Sequence, residues 1–433
     1  MIPVPQSLSS ILSFEFFAFA DIMAAIAPLQ VLLFRHLGDV DVLPYEEAIV
    51  RALQGGKEAG GYLASGEDLG IQLRFFSGAP QTAQTAAQTL DSFCHTLTVV
   101  LLDRVLMKEG GDALWDWFSN SWEHVDSSNG RHAMLVVPMD ERVGEEFSGK
   151  RPPLGTLQLR QVHELGEKAI RPAMFALRLL HECRMLLAVA LPTTSQTGSP
   201  TGFLRLFVSH AKIDGLPLAQ ALRHQIKTIG WLQSFYDADD LPAGSNWQKE
   251  LERGVGSSLI VMLRTEIYDS RYWCQKEVLW ADEYATPAVL VEARTGLQHS
   301  AGSLPFDRVP FVRIPDGNLL RVLFLALREG LRFLLFMRRV EEMKRSGELP
   351  AQVELRVFSF PPSMSALLRA CQSITASNPP EQVPRLILYP DPALRAGVYE
   401  AALALVEKYA PRTRLVTPNT LAATKGASVL SPK

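Results

Sequence analysis

Residues 270–280 read Ser-Arg-Tyr-Trp-Cys-Gln-Lys-Glu-Val-Leu-Trp. Trp273 and Glu277 are four apart and Trp280 lies three further on, so on a helix one carboxylate and two indoles share a face. A single carboxylate so placed can stabilise an oxocarbenium-like centre on a sugar when the leaving group departs neutral and needs no protonation. Two clusters precede it. The apolar run FLRLFVSH contains Phe207 and ends in Ser209-His210, polar groups at the carboxyl end of a sheet strand, where open α/β folds bind ligands. The segment FYDADDLPAGSNW combines Asp237, Asp239 and Asp240 with Leu241-Pro242 and Gly244, a turn-rich composition.

The elements that must position these residues alternate. FLRLFVSH, LQSFYD, SSLIVMLR and AVLVEA have the length and apolar content of buried parallel strands. LPLAQALRHQIKTIG, NWQKELERGV, SRYWCQKEVLWADEY and LLRVLFLALREGLRFLLF read as the helices between and after them, with Ser270 as a cap for the third. Arg321, Arg328 and Arg332 give the last helix a narrow polar stripe, and its broad apolar face calls for a neighbouring domain or protomer besides its own sheet. The same rhythm fills the first segment: LQVLLFRH, IQLRFF, HTLTVVLLD and AMLVVP as strands, with helices at PYEEAIVRALQGG, AQTAAQTLDSF, around Trp115 and Trp117, and from 159 to 185 with a break at Pro172. A shorter third segment repeats it. LPTTSQTGSPTG (191–202) and KRSGELPAQ (344–352) separate the three. The expected organisation is an N-terminal α/β domain over 1–190, a second domain over 202–340 and a small C-terminal α/β domain over 353–420.

Composition excludes several classes. The chain has 433 residues, with 43 Lys+Arg against 46 Asp+Glu and a net charge of −3. Nothing here suggests wholesale disorder or a globally basic nucleic-acid binder. Cys94, Cys183, Cys274 and Cys371 have no CxxC spacing, which points to reduced thiols in a cytoplasmic protein. Residues 11–34 are apolar, but Glu15 and Asp21 interrupt them and no Lys or Arg precedes, unlike a signal or membrane span. The first 22 residues read as an accessory helix or an over-long gene start. GEEFSGK (144–150) lacks the Ser or Thr that a phosphate loop needs, GGKEAGG (55–61) follows a helix, and no histidine pattern suits a metal.

Three motifs in order resemble the Toll/interleukin-1 receptor (TIR) domain family over roughly 202–340: the opening strand with FVSHAKIDG; Phe235, Asp237, Leu241 and Gly244 in the family's mobile loop; and W-x-x-x-E at Trp273 and Glu277. The resemblance implies a flavodoxin-like parallel sheet. It also implies that NAD⁺ is a substrate, not a cofactor, cleaved between nicotinamide and ribose with Glu277 as the catalytic residue. Phe207, Ser209, His210, Asp240, Leu241, Gly244 and Trp273 are the expected substrate contacts, with no metal. Nicotinamide leaves as a neutral molecule from a cationic pyridinium, so one carboxylate suffices where a glycosidase needs two. Water or the adenine of the same molecule then takes the sugar, giving ADP-ribose or a cyclic isomer. Further expectations are self-association through TIR domains, activation by assembly and a role in bacterial anti-phage defence. A nucleotide or protein trigger would act through the flanking domains, and neither nucleic acid nor membrane is expected as a partner.

The competing readings are an ordinary helix-surface Glu277 and a non-catalytic TIR scaffold that recruits partners. Trp273 and Trp280 suit packing better than base stacking, and Cys274 suits packing better than nucleophilic attack, having no cationic cluster with a histidine. Ser209 and His210 stay open between capping and ligand contact. The first segment mimics the TIR order but has no W-x-x-x-E: Ser119 and Ser121 follow Trp115 and Trp117 by four, and Asp126 follows Trp122. It reads either as a degenerate TIR-like domain or as an unrelated α/β domain. YPDPAL (389–394) reads as a proline-stabilised turn, with a phosphate-binding helix start as the alternative.

Overall fold

A computed structural model describes residues 28–36, 41–56, 68–77, 95–149, 165–188, 204–235, 247–295, 309–350, 352–377 and 382–423. It divides the chain into two compact units, Met1–Ala59 with Ser65–Ala190, and Leu191–Lys433 with Gly60–Ala64. The expected helix AQTAAQTLDSF, the 191–202 joint and residues 237–244 lie outside the described residues. So do the N-terminal 27 residues and Cys94. No helix among the described residues is long and apolar enough to cross a membrane.

In the first unit, β1 (Gln30–Arg35), β2 (Gln72–Ser77), β3 (Thr96–Leu102) and β4 (His132–Pro138) form a parallel sheet in the order β2-β1-β3-β4. Every residue of β3 is buried, Thr96 and Thr98 included, as expected of a parallel strand covered on both faces. The helices are α1 (Leu43–Gln54), α2 (Arg104–Ser127), α3 (Glu141–Ser148) and α4 (Arg171–Ala188). Asp103 starts α2 by accepting from the Leu106 amide at 2.6 Å, and Asp140 starts α3 by accepting from Val143 at 3.0 Å. The segment read as a helix broken at Pro172 instead begins its helix at Arg171. Pro172 then falls in the first turn, where its missing N–H costs no intrahelical bond. Trp115, Trp117, Phe118 and Phe147 pack with Phe34 in one core.

In the second unit, β5 (Arg205–His210), β6 (Gln233–Phe235), β7 (Leu259–Arg264), β8 (Ala288–Glu292) and β9 (Phe311–Arg313) are all parallel, in the order β6-β5-β7-β8-β9. This is the flavodoxin-like order 2-1-3-4-5. The helices are α5 (Leu216–Ile229), α6 (Trp247–Gly256), α7 (Tyr272–Glu283) and α8 (Leu319–Arg345). Strand β9 has three residues with only Val312 buried, too short to show a period in sequence.

Helix α8 runs nine residues beyond the expected end at 336. The extension serves a third parallel sheet, β10 (Glu354–Val357), β11 (Arg385–Leu388) and β12 (Thr413–Val416), in that order. Around it lie α9 (Met364–Ala376), α10 (Ala396–Tyr409) and α11 (Pro418–Ala423). Phe336, Val340 and Met343 of α8 join Leu386, Leu388 and Val416 in one cluster, so part of the helix's apolar face is covered within the chain. Each such buried side chain stabilises by roughly 1.5–3 kcal/mol. The expected polar stripe is also corrected. Arg328 and Glu329 are buried, Arg328 over the Phe324 ring, and Glu329 accepts two bonds from Arg332, which also donates to the Ser359 carbonyl.

Candidate active site

Strand β5 delivers Ser209 and His210 to the carboxyl edge of the five-stranded sheet, beside β7. The next turn is tight: the Gly215 amide donates to the Ala211 carbonyl at 2.7 Å, and a Cβ on Gly215 would stand 2.9 Å from that oxygen. This turn is tied to the one after β7, because Asp214 accepts from the Thr265 hydroxyl at 2.8 Å and the Ile267 amide at 3.1 Å. Arg264, at the end of β7, holds Asp269 and Glu292, and Arg294 holds Glu292 at 2.6 and 2.7 Å. Burial alone would raise the Glu292 carboxyl, but the hydrogen bonds and charge of Arg294, with Arg264, outweigh it and hold the group below its usual range. The loops at this edge are thus fixed by charge-assisted bonds.

A single 3-10 turn over Tyr268–Ser270 leads into α7. Ser270 does not cap that helix: its hydroxyl turns back to the Ile267 carbonyl at 2.7 Å, and Arg271 occupies the cap position without a side-chain capping bond. Glu277, two turns in, is 6% exposed. Its Oε2 accepts from the Ser209 hydroxyl, and the Ser209 oxygen lies 2.6 Å from the hydroxyl of the wholly buried Tyr268. With the Ser209 proton committed to Glu277, Tyr268 donates to Ser209, so a chain of hydroxyls ends on the carboxylate.

These groups line or back a cavity of about 580 Å³. Glu277 and His210 form its floor, Lys212 and Arg271 bring positive charge, and Trp247 and Trp273 supply aromatic wall. The two indoles meet at 65° with centroids 4.4 Å apart, and the Tyr272 ring stands edge-on to Trp273 at 5.1 Å. Trp247 and Tyr272 remain 46% and 59% exposed, so the rim presents aromatic faces. Among the described residues, Arg271 Nε is shielded from solvent without a hydrogen-bond partner, and no ion pair neutralises the guanidinium. Cys274 also lines the cavity, but its thiol is pushed up to about 12, first by burial and then by the Glu277 charge, and so is no thiolate near neutrality. Burial, followed by Cys274 and Glu277, pushes the Tyr268 hydroxyl well above its usual range, keeping it a donor.

Of the residues singled out by sequence, Ser209, His210, Trp273 and Glu277 come together here. Ser209 binds the carboxylate rather than capping a helix, and His210 lines the cavity with Nδ1 3.2 Å from the Val208 carbonyl. Phe207 does not reach the cavity. It sits in the core with Met262, Cys274 and Val278, on the same strand face as Ser209 but two residues further from the carboxyl edge. Trp280 is buried in the same core. Asp240, Leu241 and Gly244 lie outside the described residues. Sequence reasoning passed over Tyr268, Arg271, Lys212 and Trp247. Of these only Arg271, a cation two residues before Trp273, carried a local signal.

Residues 206–300, which contain all four of the assembled residues, match the family model for the TIR domain. The chain carries a TIR domain there, with the flavodoxin-like sheet as its frame. Over 103 residues it is 31% identical to the NAD(+) hydrolase PdTIR of Paracoccus denitrificans (strain Pd 1222). That match covers 23% of this chain and 34% of the relative, so the chain spans about a third of the relative's length. A likeness to the crystal structure of tagatose-6-phosphate ketose/aldose isomerase from Escherichia coli covers 77% of this chain and 90% of that one. At 13% identity and a TM-score of 0.17, it carries no argument.

Proposed function

We propose that the protein cleaves NAD⁺ at the bond between nicotinamide and ribose. The observation that carries this reading is the buried Glu277 carboxylate, oriented by Ser209 at the floor of a cavity rimmed by indoles. As the C1′–N bond breaks, its electron pair goes to the pyridinium nitrogen and nicotinamide departs neutral. Glu277 faces the charge that develops on the ribose, in a site shielded enough for that interaction to be strong. Trp273 and Trp247 offer planar apolar faces to the aromatic ring. Arg271 and Lys212 offer charge for the diphosphate. A water molecule then bonds to C1′ and loses a proton to solvent, giving ADP-ribose, or the substrate's own adenine takes the carbon and closes a cyclic isomer.

The reading extends to self-association. Ile213, Trp247 and Tyr272 are exposed at the rim, so a second copy could bury apolar surface beside the cavity and complete it. Cytoplasmic residence and a part in anti-phage defence, with a trigger acting through the flanking domains, rest on the family resemblance and the cysteine pattern.

The test is to incubate the purified chain with NAD⁺ across a range of protein concentrations and measure free nicotinamide. Release whose specific rate rises with concentration supports both cleavage and assembly. No release at any concentration favours the scaffold.

A further inference from the structure

The first unit has a cavity of its own, and the proposed NAD⁺ chemistry makes no use of it. About 380 Å³ of space lies at the carboxyl edge of the β2-β1-β3-β4 sheet. Strand order reverses between β1 and β3, and open α/β sheets bind ligands at that switch point. The walls come from the start of α1, the turns after β3 and β4, and the entry to α4. The Glu277 cavity also opens at the carboxyl edge of its sheet, but it is lined from the turn after β5 and from α6 and α7.

Part of the polar lining is already engaged. Arg104 donates to Asp140 at 3.0 Å, while Asp140 and Asp103 cap α3 and α2. Three groups are left for a ligand. Tyr45 is only 7% exposed, its ring is edge-on to Phe175 at 5.9 Å, and its hydroxyl has no hydrogen-bond partner among the described residues. That hydroxyl lines the cavity and offers a hydrogen bond to what enters it. Arg171 gives its Nε to the Gly166 carbonyl at 2.8 Å, and among the described residues neither it nor Lys168 makes an ion pair. Both cations line the cavity, and a forked guanidinium suits phosphate. Asp41 also lines the cavity and, as a carboxylate, can accept hydrogen bonds from sugar hydroxyls.

The helix that follows the third strand distinguishes the two cavities. In the second unit α7 turns the buried Glu277 to its cavity. In the first, every carboxylate of α2 (Glu109, Asp112, Asp116, Glu123, Asp126) is exposed, and Trp115, Trp117 and Ser121 are buried instead. The first cavity therefore lies at the ligand edge of its sheet without a counterpart of the buried Glu277.

We propose that this cavity binds the phosphate ester of a sugar, up to a mononucleotide in size, with the phosphate on Arg171 and Lys168 and the sugar hydroxyls on Tyr45 and Asp41. The test is calorimetric titration of the full chain with ribose 5-phosphate, AMP and inorganic phosphate. The two esters should bind more tightly than inorganic phosphate. Arg171→Ala should weaken them at least ~10-fold, the scale of a lost charge-assisted bond. Tyr45→Phe keeps the ring and its packing and should weaken them ~3- to 10-fold through the hydroxyl alone. Absence of binding by either ester at millimolar concentration overturns the proposal, as does binding that Arg171→Ala and Tyr45→Phe leave intact. Inorganic phosphate bound as tightly as ribose 5-phosphate overturns the sugar recognition. Nicotinamide release plays no part in the readout, so this proposal and NAD⁺ cleavage fail separately.

Discussion

The Ser209 hydroxyl, near the carboxyl end of β5, donates to Oε2 of Glu277 two turns into α7. A strand end and a helix sixty-eight residues apart in sequence are thereby locked to one carboxylate orientation. Ser209→Ala removes the donor that fixes that oxygen while leaving the carboxylate in place.

Its expected effect is a fall in kcat for nicotinamide release of ~10-fold or more, the scale of a hydrogen bond to a charged group, with KM little changed. Tyr268→Phe keeps the buried ring and removes only the outer donor, so its kcat should fall less. Steady-state kinetics on the two variants, with circular dichroism to confirm the fold, checks the order.

Arg271 has the opposite signature. In the proposed reaction its charge serves binding, so Arg271→Ala should raise KM for NAD⁺ by ~10-fold while kcat changes little. A loss confined to kcat would place Arg271 in the chemical step instead.

Cys274 is the subject of a pH prediction. Its folded pKa is raised to about 12, whereas an unfolded thiol ionises near ~8.5. The folded state holds the proton more tightly, so this contribution to stability is fully present below ~8.5 and is lost as pH rises towards 12. At a pH of about 8, just below the unfolded thiol's range, the native thiol should resist iodoacetamide and activity should survive treatment, while urea-unfolded chain is labelled. Mass spectrometry of the Cys274 peptide reads both.

The buried Asp282 of α7 accepts from Ser363 and from Ser365 at 3.1 Å and lies 3.7 Å from Arg369. It joins the TIR helix to the start of α9. Asp282→Ala strips these donors of their acceptor and should destabilise by ~2–3 kcal/mol, a fall in Tm of several degrees by scanning calorimetry.

Much of this was legible before the fold. Glu277 and Trp273 share a face by helix spacing alone, and a polar pair ending an apolar strand marks the ligand edge of a parallel sheet. What spacing could not show is which distant groups meet. Tyr268 and Arg271 matter only because a 3-10 turn swings one inward and leaves the other at the uncapped start of α7. Ser270 looked like a cap by composition, yet its hydroxyl bonds backwards. The length of α8 was hidden because its second half reads as charged, RRVEEMKR, while Val340 and Met343 are packed on a different sheet from its first half. Phe207 shares a strand face with Ser209, and only the fold shows that it lies two residues back from the carboxyl edge, inside the core.

The central claim is that Glu277 stabilises positive charge on ribose, and Glu277→Gln tests it most directly. Glutamine keeps the size and can still accept from Ser209, but it carries no charge. At matched protein concentration and matched oligomer distribution, the variant should release nicotinamide from NAD⁺ at least ~100-fold more slowly than the parent, the scale of a lost electrostatic stabiliser. A Glu277→Gln variant that cleaves NAD⁺ at the parent's rate would contradict the account.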